Sequence, residues 1–226
     1  HKSFRPAKTD NNKSISSGFM ITRNTKKNLI MFYSAYVGDN FRSDLGYYRR
    51  YGMYKFEPNY RFRIYPNNPK IHEIEFSHYA AWVFRTNLDN KYEGNIHYSQ
   101  IQLKYLNTSR LSLQRRQTKT YLYNDFDPTR SSDSTPLPKN NFYDYVDYIF
   151  SYKSSSRNIF NIDSSISYGS FFNGEKFSFY NELAFRRQPI FNTSIKLNFD
   201  SIKLPSPYSM SLIHISEPTR PQCISY

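Results

Sequence analysis

The segment Asn158–Leu204, NIFNIDSSISYGSFFNGEKFSFYNELAFRRQPIFNTSIKLNFDSIKL, decides the fold class. It reads as three long strands joined by two tight turns. In the first, Phe160, Ile162, Ser164, Ile166 and Tyr168 share one face, and Asn161, Asp163, Ser165 and Ser167 share the other. After the turn Phe172-Asn173-Gly174-Glu175, the second strand sets Phe177, Phe179, Leu183 and Phe185 on one side, with Asn181 interrupting. Ser178, Tyr180, Glu182 and Arg186 fall opposite. Beyond Gln188-Pro189, Phe191, Thr193, Ile195, Leu197 and Phe199 alternate with Asn192, Ser194, Lys196, Asn198 and Asp200. Successive side chains of a strand point to opposite faces, so each strand has one greasy face and one wet face.

The composition extends this reading to the whole chain. There are 22 Tyr and 19 Phe against five Ala in 226 residues. Aromatic residues favour strands and scarce Ala disfavours helices, which predicts an all-β chain. Mean hydropathy is −0.76, too polar for a helical membrane protein. No apolar run reaches the roughly 18 residues a transmembrane helix needs. Neither fact excludes a barrel, whose strands need apolar residues only at alternate positions. The net charge of +13 suits nucleic acid, an anionic lipid surface, an anionic solute, or a basic solvated surface with no specific partner. The single Cys223 excludes a disulfide within one chain. The chain opens His1-Lys2-Ser3 without an initiator Met, so the start reads as truncated and says nothing about export.

Taken in order, residues 1–17 read as a polar, basic loop. Gly18–Asn24 and Leu29–Val37 read as a hairpin about Thr25-Lys26-Lys27, followed by an alternating Phe41–Tyr48. Phe56–Tyr65 is cleaner, and Pro66-Asn67-Asn68-Pro69 is a strong turn signal. Ile71–Thr86 carries Ile74, Phe76, Ala80, Trp82 and Phe84 on one parity, and turns at Leu88-Asp89-Asn90. In Tyr92–Leu106 the apolar parity slips, from Ile96 and Tyr98 to Ile101, Leu103 and Tyr105. A bulge, or a strand end projecting beyond a membrane, accounts for such a slip. Arg110–Tyr123, the irregular Asn124–Asn141 and the alternating Phe142–Lys153 lead into the opening segment. The count is roughly ten strands, mostly of about 8–15 residues, with no helix.

Strand length separates two all-β architectures. Strands of soluble sheets usually run about 5–6 residues, whereas those crossing an outer membrane need about 9–11. Closure into a barrel also removes the edges that long strands would otherwise present. The reading is therefore an antiparallel up-and-down transmembrane β-barrel, present as an incomplete fragment.

Several stretches carry a family resemblance: GFMITRN, then YVGDNFRSDLGYYRR, then the Tyr65-Pro66-Asn67 turn, and further on ISYGSFFNGEKFSFYNELAFRRQP followed by FDSIKLPSPY. Over about Gly18 to Tyr208 the chain resembles the C-terminal barrel of the domain-of-unknown-function 5916 family. The resemblance implies an outer-membrane protein of a Gram-negative bacterium. Full-length members carry an N-terminal domain like carbohydrate-binding family 9, which this chain lacks, along with the family's last strands. Residues 1–208 are then a partial barrel domain. Ser211–Pro221 (SLIHISEPTRP) resembles a translated sequencing adapter, so 209–226 are set aside as a non-native or disordered tail.

No catalytic constellation emerges. His72 and His78 lie about 20 Å apart along one strand and make no metal site. Asn124, Asp125, Asp127 and Asp133 lack the glycine and terminal Glu of a calcium loop, so a solvated loop is the preferred reading. Asp144 and Asp147 fall on opposite faces of one strand. The chain is expected to be non-enzymatic, with no cofactor and no metal. If the apolar faces meet lipid, the charged residues of the polar parity line a lumen: Arg61, Arg63, Asp163, Glu182, Arg186, Lys196 and Asp200. A satisfied ion-pair network in a narrow or plugged barrel fits the same mixture. Tyr47, Tyr48, Tyr65, Tyr121 and Tyr123 fit an interfacial girdle, and Lys26, Lys27 and Lys70 fit contact with anionic headgroups.

Two functions follow. In one, the chain is part of an outer-membrane barrel supporting glycan or solute binding or uptake at the cell surface. Its partners are then outer-membrane lipid or lipopolysaccharide and, by the family's extra domain alone, glycans. In the other, a soluble, basic, aromatic-rich β domain binds nucleic acid or another polyanion. That mode needs aromatic and basic residues interleaved on one face, and the strands segregate them instead, so no nucleic-acid partner is expected.

Overall fold

The structure is a computed structural model that describes residues 15–42, 51–86, 91–128, 135–187 and 191–206, and the backbone of 210–218. Eleven strands form one sheet: β1 (Ser16–Asn24), β2 (Asn28–Val37), β3 (Met53–Ile64), β4 (Ile71–Arg85), β5 (Lys91–Tyr105), β6 (Arg110–Leu122), β7 (Asn141–Lys153), β8 (Phe160–Phe171), β9 (Gly174–Arg187), β10 (Phe191–Lys203) and β11 (Met210–Pro218). Each strand pairs only with its sequence neighbours, always antiparallel, in the order β1 to β11. The chain is therefore all-β and up-and-down, and the sheet is open, since β1 and β11 have one neighbour each. No helix among the described residues is long and apolar enough to cross a membrane, which has no bearing on crossing by strands.

Strand lengths run from 9 residues in β1 to 15 in β4 and β5. The expected Phe41–Tyr48 strand is not seen at its start. Gly38 closes a turn onto Phe41 N at 3.2 Å, Phe41 and Arg42 follow outside any strand, and the remainder lies outside the described residues, as does the expected Leu88-Asp89-Asn90 turn. Within the segment set aside as a tail, Met210–Pro218 lies along β10.

Local chemistry sets several joints. Pro58 has no N–H to give the ladder, and the β3–β4 pairing skips from Phe56↔Trp82 to Asn59↔Tyr79. The β8–β9 hairpin turns on Phe172 and Asn173, with Phe172 at φ 53°. That left-handed conformation is costly for a bulky residue. Its ring packs against Phe126, Tyr143, Tyr145 and Phe171, which offsets the cost. Gly169 brings β8 hard against β7: a Cβ there would lie 2.4 Å from Asp147 Cα.

The connections differ between the two ends of the sheet. At one end, residues 25–27, 65–70, 106–109 and 154–159 join successive strands. The other end holds the two longest connections, 38–52 and 123–140. The 123–140 loop folds back on itself through a Phe126–Leu137 bridge, and Leu137 is fully buried.

Candidate functional site: the two faces of the sheet

Residues opposite one another in a ladder share a face, so the register assigns every described strand residue to one of two surfaces. All seven charged residues singled out from the sequence fall on the same one. Arg63 Nε donates to Glu75 Oε2 at 3.0 Å, and Arg61 Nε lies 3.3 Å from Glu75 Oε1 as an ion pair without hydrogen-bond alignment. Lys153 pairs with Asp163 at 2.6 Å. Glu182 accepts from Tyr180 Oη at 2.8 Å and faces Lys196 Nζ at 3.9 Å. Asp200 takes Lys176 Nζ at 3.2 Å and a hydrogen bond from Ser178 Oγ. Arg186 joins Lys153, Asp163 and Glu182 around a groove of about 260 Å³ over β8–β10.

The strongest pair on this face escaped the sequence reading, because its partner is fixed only by register. Arg116 forks onto Asp147 through two 2.7 Å bonds, Nε to Oδ1 and Nη2 to Oδ2. Asp147 is only 7% exposed, and a bidentate guanidinium–carboxylate contact suits a sheltered carboxylate. Arg85 Nε donates to the sheltered Glu93 Oε2 at 2.8 Å, through a single bond. Just beyond β6, burial raises the pKa of the Tyr123 phenol, Glu93 adds to that rise, and Arg85 opposes it. Asp144 and Asp147 do lie on opposite faces, facing Lys119 and Arg116 in the ladder. Asp125 accepts from the Lys139 backbone N–H at 2.9 Å, and Asp133 lies outside the described residues. Among the described residues no three His, Cys, Asp or Glu side chains gather as metal ligands do.

The opposite face is apolar and open. Phe160 is 71% exposed, Ile195 60% and Tyr168 55%, while Asp147, Glu93 and Ile202 on the charged face are buried. A sheet whose charged face is the sheltered one curves toward that face. At the long-loop end of the apolar face, aromatic rings run from strand to strand. Tyr54 stacks on Phe84 at 4.9 Å, Phe84 meets Tyr92, Tyr92 stacks on Phe142, and Phe142 meets Tyr121, which touches Tyr123. Of the expected girdle residues, Tyr121 and Tyr123 belong to this row, Tyr65 lies at the other end under Lys26, and Tyr47 and Tyr48 are outside the described residues.

One sector of the apolar face is polar. The ladder runs Tyr60–His78–Ser99–Arg115–Tyr148 across β3 to β7. His78 Nδ1 lies 2.9 Å from Ser99 Oγ, and Arg115 Nη2 donates to Gln117 Oε1 at 3.1 Å. His97 contacts the rings of both His78 and Trp82. The slip of parity along β5 is the sequence signal for this sector, and of the two explanations expected for it the bulge needs correction. Pairing with β6 runs unbroken from Gly94 to Lys104. The β4–β5 irregularities sit instead at Ile71/Glu73 and Val83/Phe84. No bulge therefore lies where the parity slips. Ile96 and Tyr98 face the charged side, and the apolar face carries His97 and Ser99 in their place.

The fold and its surfaces define a class: an open antiparallel up-and-down β-sheet with a sheltered, ion-paired face and an exposed apolar one. Comparison with protein-family models, with curated proteins and with solved structures finds no match for this chain.

Proposed function

We propose that this chain is part of the wall of an outer-membrane β-barrel with no catalytic role, its apolar face toward lipid and its charged face toward a lumen that serves glycan or solute binding or uptake. The observation that carries the reading is the slant of the exposed apolar band. A single ladder row connects Arg23 in β1 to Ser201 in β10 through nine strand-to-strand steps. In β1 the exposed Ile21 and Phe19 lie two and four residues to the long-loop side of that row. In β10 the exposed Leu197 and Ile195 lie four and six residues to its opposite side. The band thus drifts by about 0.9 residue per step, a slant of about 30° at ~3.4 Å per residue and ~4.8 Å between strands. Strands of a closed barrel tilt by about 35–45°, so a membrane plane cutting tilted strands leaves such a drift.

Other features support the same reading. The aromatic row suits a membrane–water interface, and the two longest connections, 38–52 and 123–140, leave from the end that carries it, as extracellular loops would. The resemblance to the 5916 family's barrel points the same way, and the glycan part rests on that resemblance alone.

The test is to export the chain, joined to the rest of its barrel, in a Gram-negative host, and to run the outer-membrane fraction with and without boiling. Heat-modifiable mobility in that fraction is the expected result. Soluble protein with no mobility shift contradicts the reading, and salt-dependent polynucleotide binding by that soluble protein would replace it with the polyanion-binding alternative.

A further inference from the structure

We propose that the paired rings of Tyr79 and Tyr98, with Asn59, Ser77, Gln100 and Gln114 beside them, form a binding site for neutral sugar residues; the proposal rests on reading the charged face as the aqueous wall of a lumen. Two neighbouring ladder rows of that face, Asn59–Tyr79–Tyr98 and Arg61–Ser77–Gln100–Gln114, run across β3 to β6. A cavity of about 290 Å³ is lined by these seven side chains. Tyr79 and Tyr98 are half-buried, with ring centroids 5.8 Å apart and planes 26° from parallel. They give the cavity an apolar, π-rich surface on the side toward which the sheet curves.

The polar groups around the rings are open to a ligand. Among the described residues no hydrogen bond engages the side chains of Asn59, Ser77, Gln100 or Gln114, and Arg61 Nε is buried without one. An amide offers two donors and an acceptor, and a hydroxyl both donates and accepts. This set therefore matches a ligand built of neighbouring hydroxyls, and sheltered polar groups gain most from such a partner. The weakly positive C–H hydrogens of a sugar ring suit the negative face of a phenol ring. Formal charge is already matched nearby: Arg61 and Arg63 share Glu75, Arg116 holds Asp147, and Lys55 holds Glu57, the carboxylate facing the Tyr79 hydroxyl. With each of these cations held by a carboxylate, a polynucleotide is the poorer occupant, because it needs free Lys or Arg against its phosphates. The groove over β8–β10 is the contrast, with Lys153, Asp163, Glu182 and Arg186 in its lining where this cavity has Arg61 alone.

The experiment uses the full 226-residue chain refolded in micelles of a zwitterionic, sugar-free detergent. Maltotetraose and cellotetraose are the probes, and binding is read by saturation-transfer NMR. Partition of the chain into micelles and vesicles is measured first. The expected result is transfer to the ring C–H protons of at least one of the two sugars. Tyr98→Ala weakens binding about tenfold or more, whereas Tyr98→Phe, which keeps the ring, stays within about threefold of the parent. Gln100→Ala combined with Gln114→Ala weakens it about fivefold without touching the ring pair, which keeps the test decisive if Tyr98→Ala does not fold. Ile195→Val on the apolar face leaves binding unchanged. No transfer to either sugar, or binding that survives both the Tyr98→Ala and the paired glutamine substitutions, overturns the proposal. An oligodeoxythymidylate that displaces the sugar and binds more tightly overturns the assignment to neutral sugars. A chain that enters lipid and binds neither sugar overturns this proposal alone. One that binds sugar without entering lipid keeps the site and overturns the barrel, and one that does neither overturns both.

Discussion

Strands β8–β10 and β4–β6 belong to one sheet and obey one alternation, yet their surfaces differ. In β8–β10 the apolar face holds Ile162, Ile166, Phe177, Leu183, Ile195 and Leu197, and every charge away from the strand ends lies opposite, among Asp163, Lys176, Glu182, Lys196 and Asp200. In β4–β6 the apolar face admits His78, His97, Ser99, Arg115 and Gln117, while Tyr79 and Tyr98 stack at 5.8 Å on the charged face. Alternation thus decides which face a residue occupies, and it does not decide what that face is made of. The first region has the surface that lipid alone would select. The second departs from it without any break in pairing to β6, so the departure belongs to the sequence's chemistry and not to a misplaced register.

The comparison can be broken by making the first region resemble the second. Ile166→Arg puts a cation in the clean part of the band, and is expected to cost about 2–4 kcal/mol in a bilayer, read by denaturant unfolding from vesicles. A cost near zero would mean that lipid does not cover β8–β10. On the charged face, Arg116→Ala leaves Asp147 sheltered and unpaired, with an expected loss of about 2–3 kcal/mol in the same assay. Gly169→Ala forces a methyl group onto the β7 backbone opposite that pair, and overpacking of this kind costs about 1–3 kcal/mol. The smallest effect is expected at the half-exposed Lys196–Glu182 contact, where Lys196→Gln should change stability by less than about 1 kcal/mol. Together, the Arg116 and Lys196 substitutions ask whether the charged face is held by its sheltered pair or by its open ones.

The hairpins, the strand parity and the shared face of Arg61, Arg63, Asp163, Glu182, Arg186, Lys196 and Asp200 were legible because each depends on neighbours a few residues away. Pairing was not. Arg116 and Asp147 are 31 residues apart, and only the β6–β7 register brings them together. Lys176 as the partner of Asp200, and Lys153 of Asp163, depend on register in the same way. The polar row was hidden more deeply, since it draws one residue from each of several strands. In the sequence His78 invites comparison only with His72 as a metal ligand, and nothing local groups it with His97, Ser99 or Arg115. The β5 slip was the one local sign, and one strand alone offered only a bulge or a projecting strand end to explain it. Seeing otherwise required the neighbouring strands.

The central claim is that the apolar face meets lipid, and Trp82 tests it most directly. It is the sole tryptophan of the chain and lies on that face, opposite Phe56 and Asn95. The measurement is its fluorescence after mixing the chain with vesicles whose acyl chains carry bromine at defined depths. The account predicts blue-shifted emission and strong quenching by brominated chains, with none from a water-soluble quencher. Emission that ignores brominated lipid and is quenched from water would place this face in solvent and contradict it.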